Sequence, residues 1–159
     1  MNEAEFRALV SGAKRGVGAA LLRAGLRGLS FGYLAGISVR NRLFDWGLKS
    51  VHNAEVPVVS VGNITTGGTG KTPMVAFLVN WFREQGVTPA ILSRGYRAVD
   101  GGANDEKLVL DQLCPGVLHL QDPDRVASAQ KAVKEYQGQV LVLDDGFQHR
   151  RLGRSLDLV

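Results

Sequence analysis

Cysteine is nearly absent from the sequence, since Cys114 is the single one among 159 residues. A disulfide within the chain is therefore excluded, and no Cys or His stands near Cys114 at a metal-ligand spacing. The simplest interpretation of Cys114 is a small buried apolar side chain. A chain that needs no disulfide suits a reducing compartment, so we predict a cytoplasmic protein.

Long hydrophobic runs are also absent. The longest uncharged stretch of the N-terminal region, residues 28–39, has twelve residues, well short of the roughly 20 that a membrane-spanning helix needs. Arg23 and Arg27 interrupt the apolar region, and no clear small-residue cleavage site follows before Arg40, which argues against a secretory signal. We predict that this region is retained and does not span a membrane.

Acidic residues are scarce in the same region. Residues 1–54 contain eight Lys and Arg against three acids, whereas the net charge of the whole chain is +4. The remainder is near neutral, which argues against a general nucleic-acid surface and for a basic element that meets an anionic partner, such as the cytoplasmic face of a membrane. We divide the chain into an N-terminal segment, 1–54, and a core, 55–159.

The N-terminal segment has the pattern of an amphipathic helix. Leu22, Leu26, Leu29 and Tyr33 recur at helical spacing, with Arg23 and Arg27 on a neighbouring face, which is typical of a helix lying in a membrane interface. Glycines weaken the helix and require support from packing or lipid. The alternative is a helix packed on the protein's own core.

A strand, a glycine-rich loop and a helix follow one another at the start of the core. The apolar run 56–61 predicts a buried strand, and periodic apolar residues between Pro73 and Gly86 predict a helix. We place one helical face on Met74, Val75, Phe77, Leu78, Trp81 and Phe82.

The loop between them predicts a phosphate site, because glycines let backbone N–H groups surround phosphates at a helix N-terminus. Lys71 is expected to reach the β- and γ-phosphates of ATP, and the Thr72 hydroxyl to bind Mg²⁺. Thr65 stands where the usual pattern has its first glycine, so the match is imperfect. The candidate nucleotide-binding residues are Gly67, Gly68, Thr69, Gly70, Lys71 and Thr72.

A second candidate site follows the apolar run 139–143. This run predicts a buried strand that delivers Asp144 and Asp145 at its carboxyl end, where ligands of parallel sheets sit. Asp144 is the magnesium candidate. Asp145 and Lys71 are candidates for catalytic residues. By itself an Asp-Asp-Gly sequence is also a common turn.

Further runs predict strands at 90–93 and 117–120 and a helix after the second of these. Asp122 is expected to cap that helix, with Pro123 in its first turn. Its buried stripe is predicted to be Val126, Ala129, Val133 and Tyr136. Arg125 lies in the first turn, where a cation is mildly unfavourable, so it either faces a ligand or is a solvated surface residue.

These segments predict an α/β fold of the P-loop NTPase type, with a mostly parallel, incomplete sheet flanked by helices and an amphipathic, membrane-associated helical segment before it. Across nearly its whole length the chain resembles the tetraacyldisaccharide 4′-kinase (lipid A 4′-kinase) family. The resemblance rests on residues 58–73, on Ser93-Arg94-Gly95-Tyr96, and on residues 144–152.

The resemblance implies ATP- and Mg²⁺-dependent phosphorylation of the 4′-hydroxyl of a tetraacylated glucosamine disaccharide 1-phosphate. The enzyme would act as a peripheral protein on the cytoplasmic face of the inner membrane, with no nucleic-acid partner. It further implies that Asp105 is the general base and that Arg125 lies near the phosphates. Glu106, Gln148 and His149 would contact substrate. Asn104 and Lys107 depart from the family pattern around Asp105.

The family continues for about as long again, and residues 155–159 have the pattern of the first half of a strand. We therefore expect a fragment of a longer kinase, inactive alone. Two other functions remain open: a P-loop kinase of another small hydroxyl acceptor, and a nucleotide-controlled membrane-binding module.

Overall fold

The computed structural model describes residues 2–64, 70–95 and 105–159, apart from the side chains of Glu3 and Asp105. The candidates Gly67, Gly68 and Thr69 and the side chain of Asp105 therefore lie outside the described part. The chain divides into two compact units, Met1–Lys49 and Ser50–Val159.

The first unit consists of two helices, α1 (Glu3–Val10) and α2 (Val17–Asp45). Asn2 caps α1, accepting a hydrogen bond from the backbone N–H of Glu5, whose carboxylate accepts one from the N–H of Asn2. Helix α2 includes the apolar stripe that the sequence indicated, and its Leu22, Leu29 and Tyr33 side chains are exposed. None of the helices within the described residues combines the length and the hydropathy needed to cross a bilayer.

The second unit is built around a parallel sheet of five strands in the order β3-β2-β4-β1-β5. This confirms the prediction of a mostly parallel sheet flanked by helices. The strands are β1 (Val58–Val61), β2 (Pro89–Ser93), β3 (Leu118–Gln121), β4 (Val140–Asp144) and β5 (Leu156–Leu158). The helices between them are α3 (Lys71–Glu84), α4 (Asp105–Leu113) and α5 (Arg125–Lys134).

Helices cover both faces of the sheet, which is why its central strands are continuous apolar runs. One core combines α3 and α4 with the sheet and contains Val61, Val75, Val79, Ile91, Leu110, Cys114 and Val142. The other combines α5 with the sheet and contains Val58, Leu92, Val126, Ala129, Leu141 and Leu143. Cys114 is buried, as predicted.

Two predicted helix faces are wrong in detail. In α3, Val75 and Val79 are fully buried, whereas Phe77 and Trp81 are 63% and 45% exposed. Helix α3 has apolar residues on every side, so their spacing in the sequence could not distinguish the packed side from the exposed one. Tyr136 lies beyond the end of α5 and is also exposed, so it does not extend the buried stripe.

The N-terminal boundary of α5 also differs from the prediction. Asp124 is the N-cap, and its carboxylate accepts hydrogen bonds from the N–H groups of Val126 and Ala127. Asp122 instead accepts from the N–H of Asp124 at 2.6 Å, which shapes the turn before the helix. The prediction of Asp122 as the cap is therefore wrong by two residues, because a second aspartate follows Pro123 and takes that position.

Candidate functional site

The site residues converge at the carboxyl edge of the sheet. Val61 and Asp144 are paired neighbours at the ends of β1 and β4, so the segments that follow these strands begin side by side. In parallel α/β sheets this edge is where ligands bind. The fold therefore brings together two candidate segments that are more than 70 residues apart in the chain.

Helix α3 begins at this edge. Gly70 is its N-cap and has φ of 76°, a left-handed conformation that glycine adopts without strain. Lys71 and Thr72 are the first two helical residues, and Pro73 occupies the first turn, where its missing N–H costs nothing. Two candidate side chains thus start from a helix N-terminus, where the backbone N–H groups favour an anion.

The Lys71 side chain turns toward the end of β4. Its Nζ donates to Oδ1 of Asp145 at 3.0 Å and to Oδ1 of Asn63 at 3.2 Å. Burial by itself would lower the pKa of Lys71, but the hydrogen bond and charge of Asp145, with smaller effects of Asp144 and Glu106, raise it above its ordinary value. Lys71 is therefore a fixed positive charge at this edge.

Asp144 is the buried carboxylate of the site, with 6% of its surface exposed. Its pKa is raised to about 6, chiefly by burial and then by the negative charges of Glu106 and Asp145, while Lys71 and Arg125 oppose the rise. The positive charges of Lys71 and Arg125 therefore only partly balance the negative charges around Asp144. Such a site favours either a proton or a cation.

Asp145 and Gly146 form a tight turn after β4. Asp145 has a positive φ of 54°. A Cβ on Gly146 would lie 2.5 Å from Cβ of Leu143 and 3.0 Å from Oγ of Ser60, so a larger residue does not fit. Nη1 of Arg154 donates to the carbonyl oxygen of Phe147 at 2.8 Å and holds the next part of the loop. The turn directs the Asp145 carboxylate to Lys71.

A narrow cleft beside these residues is lined by side chains from β2, β3, α4 and the end of β4. Its lining is Ser93, Arg94, Gly95, Glu106, Lys107, His119, Gln121, Asp144 and Asp145. A larger depression lies at the opposite edge of the sheet, near Arg83 and Tyr136. It lacks a cluster of carboxylates, so the chemistry favours the narrow cleft.

Asp105 and Glu106 are the first two residues of α4, a helix that the sequence pattern did not predict. Glu106 lines the cleft, which places it with Asp144 and Asp145. The resemblance assigned Asp105 as the base, and that assignment stays a prediction because its side chain is not described. Gln148 and His149 follow the Asp145 turn, where the N–H of His149 donates to the carbonyl oxygen of Gly146.

Arg125 is 4% exposed, so the alternative of a solvated surface arginine is wrong. Its Nη1 lies 3.4 Å from the carbonyl oxygens of Asp122 and Pro123. The positive charge of Arg125 also opposes the rise in the pKa of Asp144. The predicted contact with phosphate remains a prediction.

Some residues of this region were not assigned a role from the sequence. Asn63 contacts Lys71, and the signal for it was its position directly after the first predicted strand. His119 had no partner in the sequence, and Arg154 carried no signal beyond its charge. Their partners, Ser93 and Asp111 for His119 and the carbonyl of Phe147 for Arg154, become neighbours only in the folded chain.

The fold and the site define a parallel α/β protein with a lysine at a helix N-terminus facing a group of carboxylates. A family model described as tetraacyldisaccharide-1-P 4′-kinase matches residues 22–159. The chain belongs to this family.

Similar proteins agree with this assignment. The tetraacyldisaccharide 4′-kinase of Bdellovibrio bacteriovorus is 41% identical over 153 residues, which cover 87% of this chain and 45% of that protein. The one of Geobacter sulfurreducens is 36% identical and matches 97% of this chain and 48% of its own length. The chain thus spans less than half the length of these curated relatives.

A solved structure is also similar. The crystal structure of LpxK from Aquifex aeolicus in complex with ATP matches with a TM-score of 0.75 and 34% sequence identity. The match covers 86% of this chain and 48% of that one.

Proposed function

We propose that this chain is the ATP-binding part of a kinase that phosphorylates the 4′-hydroxyl of a tetraacylated glucosamine disaccharide 1-phosphate, a step in lipid A biosynthesis. The observation that carries this proposal is Lys71, held at the N-terminus of α3 beside Asp144 and Asp145. Family membership and the likeness to an ATP-bound structure support it.

ATP is proposed to bind in a P-loop NTPase-like manner, with its phosphates at the N-terminus of α3. The helix N-terminus and the charge of Lys71 supply attraction for the anion. A phosphate arriving there would replace Asp145 as the partner of Lys71. The backbone of Gly67, Gly68, Thr69 and Gly70 completes the proposed phosphate cradle, and Arg125 is the additional phosphate candidate.

Mg²⁺ fits the donors near Asp144. Among the described residues there is no cluster of three or more His, Cys, Asp or Glu able to hold a metal, but Mg²⁺ in kinase sites commonly uses one or two protein oxygens together with phosphates and water. The buried, poorly compensated Asp144 carboxylate and the Thr72 hydroxyl are the proposed ligands. Bound there, Mg²⁺ would neutralise charge on the β- and γ-phosphates.

The acceptor is proposed to meet the side of the cleft formed by α4. Asp105, at the start of this helix, is the proposed base for the acceptor hydroxyl. Glu106, which lines the cleft, is a proposed substrate contact together with Gln148 and His149. Asp145 is proposed to act with Lys71 during transfer.

The exposed side chains of helix α2 support the proposal that the acceptor is reached at a membrane surface. Its exposed apolar side chains include Leu21, Leu22, Leu29, Phe31, Tyr33 and Leu34. Arg23 and Arg27 add positive charge to the same helix, which suits the anionic cytoplasmic face of the inner membrane. We propose peripheral binding there, with an acylated acceptor reached in the lipid surface.

The relatives are more than twice as long as the part that matches this chain, which concerns whether this chain is active alone. Because this chain matches less than half of them, we propose that it is part of a longer parent kinase and that the 159 residues alone bind nucleotide without turnover. The decisive experiment incubates the parent with labelled ATP, Mg²⁺ and acylated disaccharide 1-phosphate. A bisphosphorylated lipid is expected.

The alternatives give different results in this assay. Phosphorylation of another hydroxyl compound alone would show a different acceptor. Vesicle binding that changes with nucleotide, without any phosphorylated product, would indicate a membrane-binding module.

Nucleotide binding can be tested on the chain as it stands. Lys71→Ala should abolish measurable binding of ATP in calorimetry, because it removes the positive charge that faces the phosphates. Lys131→Ala, a lysine of equal charge in the last turn of α5, is the matched control and should leave binding unchanged. Equal binding by the two variants would contradict the proposed phosphate site.

A further inference from the structure

Beside the acidic end of the cleft lies a group of polar side chains that the proposed chemistry does not use. Nε2 of His119 on β3 is 2.8 Å from Oγ of Ser93 on β2. Nε2 of Gln121 donates to the same Oγ at 3.3 Å. On the other side, Nδ1 of His119 lies 3.5 Å from Oδ1 of Asp111 on α4.

The chemistry of these groups sets the direction of the contacts. Asp111 can only accept, so the His119 tautomer with a proton on Nδ1 directs its N–H at that carboxylate. Nε2 then accepts a hydrogen bond from the Ser93 hydroxyl, while the Ser93 oxygen accepts one from Gln121. The 3.5 Å separation makes the Asp111 contact electrostatic, at the outer limit of hydrogen bonding.

Burial makes this group costly unless its contacts are kept. The His119 side chain is 2% exposed and Ser93 is 7% exposed. Burial lowers the pKa of His119, and Lys107 lowers it further, against the opposing charge of Asp111. His119 is therefore neutral at pH 7, as the proposed tautomer requires.

The group joins three elements at one place. Ser93 ends β2, His119 and Gln121 belong to β3, and Asp111 lies on α4 and pairs with Lys107 one turn earlier on the same helix. The preceding residue of that helix, Glu106, lines the cleft together with Lys107, His119 and Ser93. Asp111 thus links α4, whose Glu106 and Lys107 line the cleft, to His119 on β3.

We propose that Asp111, His119 and Ser93 form a positioning relay that fixes the first turn of α4, which begins with Asp105 and Glu106, against the carboxyl edge of β2 and β3. His119 is the central positioning residue. Its catalytic consequence rests on the proposed function, because α4 carries the proposed base for the acceptor hydroxyl. The relay itself is a property of the chain and is testable without any kinase assay.

The first test is nuclear magnetic resonance of the chain with ¹⁵N-labelled histidine. The expected spectrum shows His119 neutral at pH 7, with a proton on Nδ1 and none on Nε2. A charged ring, or a proton on Nε2, would overturn the relay. The exposed His52 serves as the internal comparison for a ring that is not buried.

The second test measures amide hydrogen exchange along α4 in two histidine variants. His119→Gln removes the N–H directed at Asp111, so protection of residues 109–113, whose N–H groups bond to carbonyls from the first turn of α4 onward, should fall while that of α5 stays unchanged. His52→Gln is the matched control and should change neither. His119→Asn retains a donor near the Nδ1 position and should restore part of the protection; unchanged protection in His119→Gln would overturn the proposal.

The third test separates positioning from stability in the parent enzyme. His119→Gln should lower kcat between about ten- and a hundredfold with the KM for ATP unchanged, since misplacement affects the acceptor side alone. If kcat stays unchanged although amide exchange along α4 becomes faster, the relay is only a structural contact, and its positioning role is overturned. If the wild-type parent shows no kinase activity, the proposed function fails, whereas the first two tests still decide whether the relay exists.

Discussion

Lys71 and Asp145 form an ion pair of 3.0 Å although 74 residues separate them in the chain. Their side chains are 25% and 36% exposed, so the pair adds little to the stability of the fold. The ion pair instead affects the binding of a phosphate ligand. An incoming phosphate must compete with Asp145 for Lys71.

Removing this competition should strengthen nucleotide binding. Asp145→Asn is expected to raise the affinity of the chain for ATP a few-fold in Mg²⁺-free buffer, since partly exposed pairs contribute about 0.2–1 kcal/mol. Calorimetry with EDTA measures the change. Asp157→Asn, which removes a similarly exposed carboxylate paired with Arg154, is the control; equal affinities in both variants would refute the competition.

Asp144→Asn should stabilise the metal-free chain at neutral pH. Because the folded pKa of about 6 exceeds the ordinary value of 3.8, the folded chain binds more protons between these values, and stability falls as pH rises from 4 to 6. The shift of about two units corresponds to roughly 3 kcal/mol at most. Urea unfolding in EDTA at pH 4 to 8 should show a gain above pH 6 that disappears toward pH 4.

Asp124 provides a control of opposite sign. The N–H groups of Ala127 and Val126 hold the pKa of Asp124 below its ordinary value, so its stabilisation is complete at neutral pH and is lost as pH falls through the lowered pKa. Asp124→Ala should therefore destabilise the chain at pH 7 and have less effect in acid. If Asp144→Asn followed the same pattern, the burial argument would be wrong.

Arg154→Met should loosen the loop that follows Asp145. The variant loses the 2.8 Å hydrogen bond to the carbonyl of Phe147 and the ion pair with Asp157. We expect a loss of about 1–2 kcal/mol in the free energy of unfolding, because a charged donor is removed from a partly buried position. Thermal unfolding measures it, and Asp157→Asn, which keeps the carbonyl contact, should cost clearly less.

Gly28→Ala and Gly32→Ala should each strengthen α2. A Cβ at either position meets no atom of the described residues within 4 Å, and alanine is favoured over glycine in a helix by about 0.5–1 kcal/mol. Higher helicity in circular dichroism and slower amide exchange along α2 are expected. Gly47→Ala is the contrasting variant, because its φ of 70° disfavours a side chain. A loss of helicity in the first two would show that these glycines are needed for packing.

Much of the second unit was predictable because its signals are local. The strand before Gly62, the helix from Lys71 to Glu84 and the strand that ends at Asp144 depend on residue order and spacing within about ten positions. The same signals placed the N-cap of α5 at Asp122, whereas the structure has it at Asp124, since two aspartates lie close together there. They also missed α4, whose short apolar pattern lies next to charged residues.

The sequence by itself determined the α/β class, the family resemblance and the identity of the phosphate and metal candidates, since each follows from residues close together in the chain. The tertiary structure decided the strand order β3-β2-β4-β1-β5 and therefore which candidates meet. The pairing of β1 with β4 brings Asp145 to Lys71 and buries Asp144. Docking of α4 beside β3 brings Asp111 to His119. These contacts depend on long-range packing of strands and helices, which local spacing does not specify.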